Sequence, residues 1–99
     1  MSARTPEGKL KEKCRKLALK LWLMFRNVEG KGFKGWPDTA CGKYPKGSGF
    51  LHIEFKAPRK EPEEAQWARI NEIRDAGGEA DWADSYERYC ELIGYDLDL

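Results

Sequence analysis

Ninety-nine residues, 11.4 kDa, suffice for one small domain spanning 1–99 and leave no room for two independent cores. Four Trp, four Tyr and four Phe within a chain that is 40% hydrophobic and 35% charged argue against a disordered segment. The net charge of +1 hides an asymmetry: residues 1–60 hold 15 Lys/Arg against five Asp/Glu, whereas residues 61–99 hold three Arg against twelve acids.

A basic half of this kind suits a polyanion and is balanced by an acidic tail, although two ordinary solvated faces give the same count. The longest apolar run, residues 17–25, is interrupted by Lys20 and is too short to cross a bilayer, so no membrane partner is expected. Three Cys (Cys14, Cys41, Cys90), no CxxC and a single His disfavour both a zinc site and a disulfide framework. With no leader pattern at the start, a cytoplasmic location is expected.

Thr5-Pro6 reads as an N-cap followed by Pro at the first helical position. Glu7, Leu10, Cys14, Leu17 and Leu21 then recur at helical spacing as one stripe, with Lys9, Lys11, Lys13, Arg15, Lys16 and Lys20 largely off it. Glu7 stands at the start of the stripe and Glu12 does not. An inward carboxylate needs a partner or a cation, and a first-turn Glu favoured by the helix dipole explains Glu7 equally well. The helix continues to Phe25 or gives way to a strand within residues 22–28; the pattern is open on this point.

Residues 29–35 form a basic, glycine-rich loop without the spacing of a nucleotide cradle, so no nucleotide cofactor is expected. Its Lys31 and Lys34, with Lys43 and Lys46 in the turn at 42–49 and Arg59 and Lys60 in the loop at 57–61, are candidate phosphate contacts. Phe33 and Tyr44 on those loops are candidate base-stacking groups or simply self-packing ones. Residues 50–56 form the clearest strand, with Leu51, Ile53 and Phe55 on one face and His52, Glu54 and Lys56 on the other. A second helix runs from near Pro62 to the Gly77-Gly78 pair, with Gln66, Ile70 and Ile73 inward and Trp67 and Ala76 flanking. Residues 79–83 read as a short last strand. Asp84 to Glu87 resembles a capping box ahead of a helix with Tyr86, Tyr89, Cys90 and Ile93 on its apolar face. Residues 1–5 and 95–99 are expected to fray.

Glu7, Asp38, Glu54 with Lys56, and Gln66 are polar groups on inward-leaning positions. Two carboxylates on neighbouring strands can hold a hard divalent cation, with the Phe55 carbonyl as a third oxygen ligand. A lysine beside such an ion can orient water or offset charge on a phosphate, which suits phosphodiester hydrolysis. For an isolated Glu-x-Lys, a solvent-exposed ion pair on an edge strand is the commoner explanation; the preceding Gly-x-Pro-Asp and the basic half weigh against it.

Gly35-Trp36-Pro37-Asp38, the strand and its exit from Phe50 through Pro58, then Gln66, Gly77 and a closing Asp-Ser helix resemble the virus-type replication-repair nuclease domain (VRR-NUC) of the PD-(D/E)xK superfamily. The resemblance covers residues 7–93. It implies an α/β, restriction-endonuclease-like core in αβββαβα order, a small mixed sheet flanked by helices. It implies Mg²⁺ or Mn²⁺ bound by Asp38, Glu54 and the Phe55 carbonyl, with Glu7 reaching the ion through water. Asp38, Glu54, Lys56, Gln66 and Glu7 then match the catalytic positions. Short stand-alone members, typically from phages, imply a homodimeric endonuclease for branched DNA such as four-way (Holliday) junctions. Trp36 departs from the small residue usual before Pro-Asp, and Glu61 and Pro62 stand where a Ser commonly caps the Gln helix. The competing readings are a non-cleaving nucleic-acid-binding module on the same fold, which needs only the lysines, and a structural interaction protein, which leaves the inward polar groups unexplained.

Overall fold

A computed structural model describes residues 5–28 and 34–97. The elements are α1 (Pro6–Lys20), β1 (Phe25–Asn27), β2 (Thr39–Gly42), β3 (Phe50–Phe55), α2 (Glu64–Asp75), β4 (Ala80–Ala83) and α3 (Tyr86–Ile93), the expected αβββαβα order. One four-stranded sheet runs β1-β2-β3-β4. The first three strands are antiparallel, and β4 joins β3 in parallel because α2 carries the chain back across the sheet.

Alternation along β3 divides the protein into three layers. Leu51, Ile53 and Phe55 point to α1 and α3, where they meet Cys14, Leu17, Ala18, Tyr89, Cys90 and Ile93. Each large side chain buried there contributes roughly 1.5–3 kcal/mol. The opposite face carries Ala80 of β4 under Ile70 and Ile73 of α2, with Trp36, Trp67 and Trp82 packed around them. The polar side chains of β3 belong to this second face, beside α2.

Thr5 caps α1 by accepting the Gly8 N–H at 2.9 Å, so it is tied down rather than frayed. The helix stops at Lys20 in a turn where Trp22 takes φ +61°, and the strand follows three residues later. This settles the boundary that periodicity left open. The buried stripe of α1 is Gly8, Lys11, Cys14, Leu17 and Ala18, rotated from the one read in the sequence; Glu7, Leu10 and Leu21 flank it, half-buried. Lys11, expected off the stripe, lies at its centre.

Glu63 caps α2, one position beyond the Glu61-Pro62 pair, and its own N–H donates to Gln66 Oε1 at 2.8 Å. At α3 the cap is Ser85, which accepts the Arg88 N–H at 3.1 Å. No capping box forms there, because Arg88 occupies the position a Glu or Gln would fill; Asp84 instead accepts the Arg59 N–H. Tyr95 is also held, its N–H donating to the Cys90 carbonyl and its ring edge-on to Tyr44 at 5.1 Å. All three cysteines are free and buried, and burial raises their thiols. Among the described residues, no helix is long and apolar enough to cross a membrane.

Candidate active site

Asp38 enters the site at the head of β2, and Glu54 lies near the end of β3. The antiparallel register, Thr39 opposite Ile53, brings these two ends together. Gly35 fixes the approach to Asp38. It takes φ +83°, and a Cβ there would meet the Ala65 carbonyl oxygen at 2.4 Å. The loop before Asp38 therefore rests on the first turn of α2, the same turn that carries Gln66, and only glycine fits that contact.

Both carboxylates are buried, Asp38 and Glu54 each 6% exposed. Their backbones cross-support them: the Phe55 N–H donates to Asp38, and the Asp38 N–H donates to Glu54. Asp38 Oδ1 also accepts the Thr39 hydroxyl at 2.7 Å, and Oδ2 faces the Lys11 ammonium at 3.4 Å. Burial raises Asp38 above the usual carboxylate range, with Lys11, the Thr39 hydroxyl and the Phe55 amide opposing. Glu54 is pushed up to about 8, first by burial and then by the Asp38 charge; Lys56 opposes this and Glu7 adds to it. Glu7, from the first turn of α1, is thus close enough for its charge to be felt at Glu54.

Gln66 links the rest. Its amide nitrogen donates to Glu54 Oε2 at 3.0 Å, and its carbonyl oxygen accepts from Lys56 Nζ at 3.2 Å and from the Glu63 N–H. An amide is the side chain that can satisfy a carboxylate and an ammonium at once. The inward polar residue on α2 therefore finds its partners at the end of β3 and just past it, while closing the end of its own helix.

The structure brings together Glu7, Asp38, Glu54, Lys56 and Gln66, with the Phe55 peptide between Glu54 and Lys56. Glu12 lies outside this group and pairs with Arg15 at 2.5 Å on the exposed face of α1. His52 shares the β3 face but packs between Trp36 and Phe50, ring centroids 5.7 and 5.8 Å away. Its Nδ1 is buried with no hydrogen-bond partner among the described residues, and burial lowers its pKa.

The candidate phosphate contacts divide by position. Lys34 and the Arg59-Lys60 loop flank the Asp38 and Glu54 end and are exposed. Lys43 and Lys46 lie beyond the opposite end of β2, and Lys43 is half-buried in an ion pair with Glu79 at 2.8 Å. Strand geometry puts about 16 Å between Asp38 and Lys43. Lys31, like Phe33, lies outside the described residues. The sequence reading missed Lys11 and Thr39. Lys11 had a legible signal in the uninterrupted spacing of Gly8, Lys11, Cys14 and Leu17, which was masked by treating lysine as a surface residue. Thr39 had none beyond its place next to Asp38.

Oxygen is the donor type offered at this cluster, which suits hard cations. Two carboxyls raised by burial, Glu54 further by the charge of Asp38, are a site that gains from added positive charge, so a divalent ion fits the residues present. Among the described residues, no three His, Cys, Asp or Glu side chains are already drawn together at ligand spacing; Asp38 is instead turned to Lys11.

No family model and no curated protein matches the chain by sequence. A solved structure of a VRR_NUC domain superposes with a TM-score of 0.76 over 91% of this chain and 96% of that one, at 21% identity. The αβββαβα order, the mixed sheet and that superposition together establish that the chain has the fold of a VRR-NUC domain.

Proposed function

We propose that this protein is a Mg²⁺- or Mn²⁺-dependent endonuclease that hydrolyses phosphodiester bonds in DNA, with branched DNA such as a four-way junction as its preferred substrate. The observation that carries the reading is the Gln66 bridge. It holds Glu54 and Lys56 side by side, next to Asp38, at one end of the sheet. A phosphate-binding module would need the lysine alone; it would not need two buried acids, one of them raised further by the other's charge.

Asp38, Glu54 and the Phe55 carbonyl are the proposed ligands, with Glu7 contributing through water. When bound, the divalent ion supplies Lewis-acid polarisation of a phosphate oxygen. Lys56, held by the Gln66 carbonyl, orients the attacking water and offsets charge that develops on the phosphate. Glu54 must be ionised to act, so binding of a cation there expels the proton that burial favours. Lys34, Arg59 and Lys60 flank the site and steer the DNA backbone.

Two symmetric cuts in a junction call for two sites, and we propose that a homodimer supplies them. Leu19, Trp22 and Met24, at the far end of α1 from Glu7, are 69%, 79% and 41% exposed and offer an apolar surface for that contact. The test is a cleavage panel with four-way junction, flap, duplex and single strand, each in Mg²⁺, Mn²⁺ or EDTA, run beside light scattering. Metal-dependent cutting, fastest on the junction, by a particle of twice the chain mass supports the reading. Binding without cutting in either metal returns the chain to the class of non-cleaving DNA binders.

A further inference from the structure

Lys11 occupies a place where an apolar residue would be ordinary. It stands at the centre of the buried stripe of α1, between Gly8 and Cys14, and is only 2% exposed. Lysine is almost never buried this far unless paired, and here the partner is Asp38, Nζ to Oδ2 3.4 Å, the two side chains 3% and 9% exposed. As a device for stability alone such a pair is poor, because removing two charges from water offsets most of their attraction. The pair also involves the carboxylate on which the proposed metal site depends.

The charges around that carboxylate are uneven. Asp38 stands among the carboxyl groups of Glu7 and Glu54, and Lys56 is engaged by Gln66. Lys11 is the cation directed at Asp38. A divalent ion that takes Asp38 as a ligand must share it with a fixed ammonium or turn it away, and the repulsion between the two cations is poorly screened at a buried site.

We propose that Lys11 is the resident cation of the site: it holds Asp38 in the metal-free protein and competes with the divalent ion, keeping metal affinity low. The proposal rests on the metal-site reading above and deepens it. Lys11 is a positioning residue that acts through Asp38.

The test is Mn²⁺ titration calorimetry on the full chain without DNA, comparing wild type with Lys11→Met and Lys11→Arg, together with melting in EDTA and in Mn²⁺. Lys11→Met is expected to bind Mn²⁺ about tenfold more tightly or better, to melt lower than wild type in EDTA, and to gain more from Mn²⁺ than wild type does. Lys11→Arg, which retains the charge, is expected to bind as wild type. Should Lys11→Met not fold, Lys11→Gln carries the same expectation, since it can still hydrogen-bond Asp38 without a charge. Equal or weaker binding in the neutral variant, with wild-type binding intact and lost in Asp38→Asn, overturns the role of Lys11 alone. Absence of Mn²⁺ binding in wild type and neutral variant alike, or binding that survives Asp38→Asn, overturns the metal-site reading as well.

Discussion

Glu54 shows how one residue's surroundings become a measurable property. Its carboxyl lies at about 8 against an ordinary 4.5, chiefly through burial and the Asp38 charge. The folded protein therefore holds a proton that the unfolded chain releases between those two values. The stabilisation is fully present below the lower value and is lost as pH rises through the upper one. In EDTA, the denaturation midpoint is expected to fall from about pH 5 to pH 9, and Glu54→Gln is expected to flatten that fall. Mn²⁺ should stabilise most at the alkaline end, where the carboxylate is available without expelling a proton. A wild-type profile in EDTA identical to that of Glu54→Gln would contradict the buried, charge-crowded environment. Nothing in the sequence around Glu54 gives such a shift; it depends on Asp38, sixteen residues earlier, arriving beside it.

At the scale of elements, Gly35 joins the loop before Asp38 to α2. A Cβ at φ +83°, 2.4 Å from the Ala65 carbonyl, forces either the loop or the helix to move. Gly35→Ala is expected to cost about 1–3 kcal/mol. It should lower the urea midpoint without changing the slope, and it should reduce the proposed nuclease activity further because Asp38 and Gln66 shift relative to each other. Wild-type stability would mean that the loop and helix are not tightly apposed.

The loops flanking the site make a second prediction. Arg59→Ala with Lys60→Ala should weaken DNA binding, measured in Ca²⁺, and reduce the log–log salt slope by about 0.9 for each phosphate no longer neutralised. Lys43→Ala should change it little, because Lys43 is paired with Glu79 at the other end of β2. A flat salt response in wild type would leave the basic half without a role in DNA binding.

The elements differ in how far they could be read in advance. β3 was legible because its alternation is strict, and α2 because its stripe ends at a glycine pair. The end of α1 was not: residues 21–24 are apolar in either conformation, and the turn depends on Trp22 taking a positive φ that its residue type does not announce. The start of α2 falls at Glu64 rather than near Pro62, and the cap of α3 is Ser85 rather than its neighbour Asp84, because an acidic and a hydroxyl side chain stand side by side there and only Ser85 bonds the helix.

For the whole molecule, most of the tryptophans and Tyr89 are absorbed by the fold. Tyr89 is fully buried, while Trp36, Trp67 and Trp82 pack around α2, which leaves Trp22 as the tryptophan most open to solvent. The charge asymmetry becomes local pairing in part, as Lys43 with Glu79 illustrates. What the three layers accomplish together is to place Asp38, Glu54, Lys56 and Gln66, drawn from three elements and their connections, at one end of a single sheet.

The most direct test of that convergence is cleavage of a labelled four-way junction in Mg²⁺ by wild type, Asp38→Asn and Lys56→Met, each shown to melt cooperatively. Wild type is expected to cut, Asp38→Asn to show no detectable cutting, and Lys56→Met to cut far more slowly with Mn²⁺ binding retained. Cutting by a folded Asp38→Asn at the wild-type rate would contradict a metal-dependent site built on Asp38.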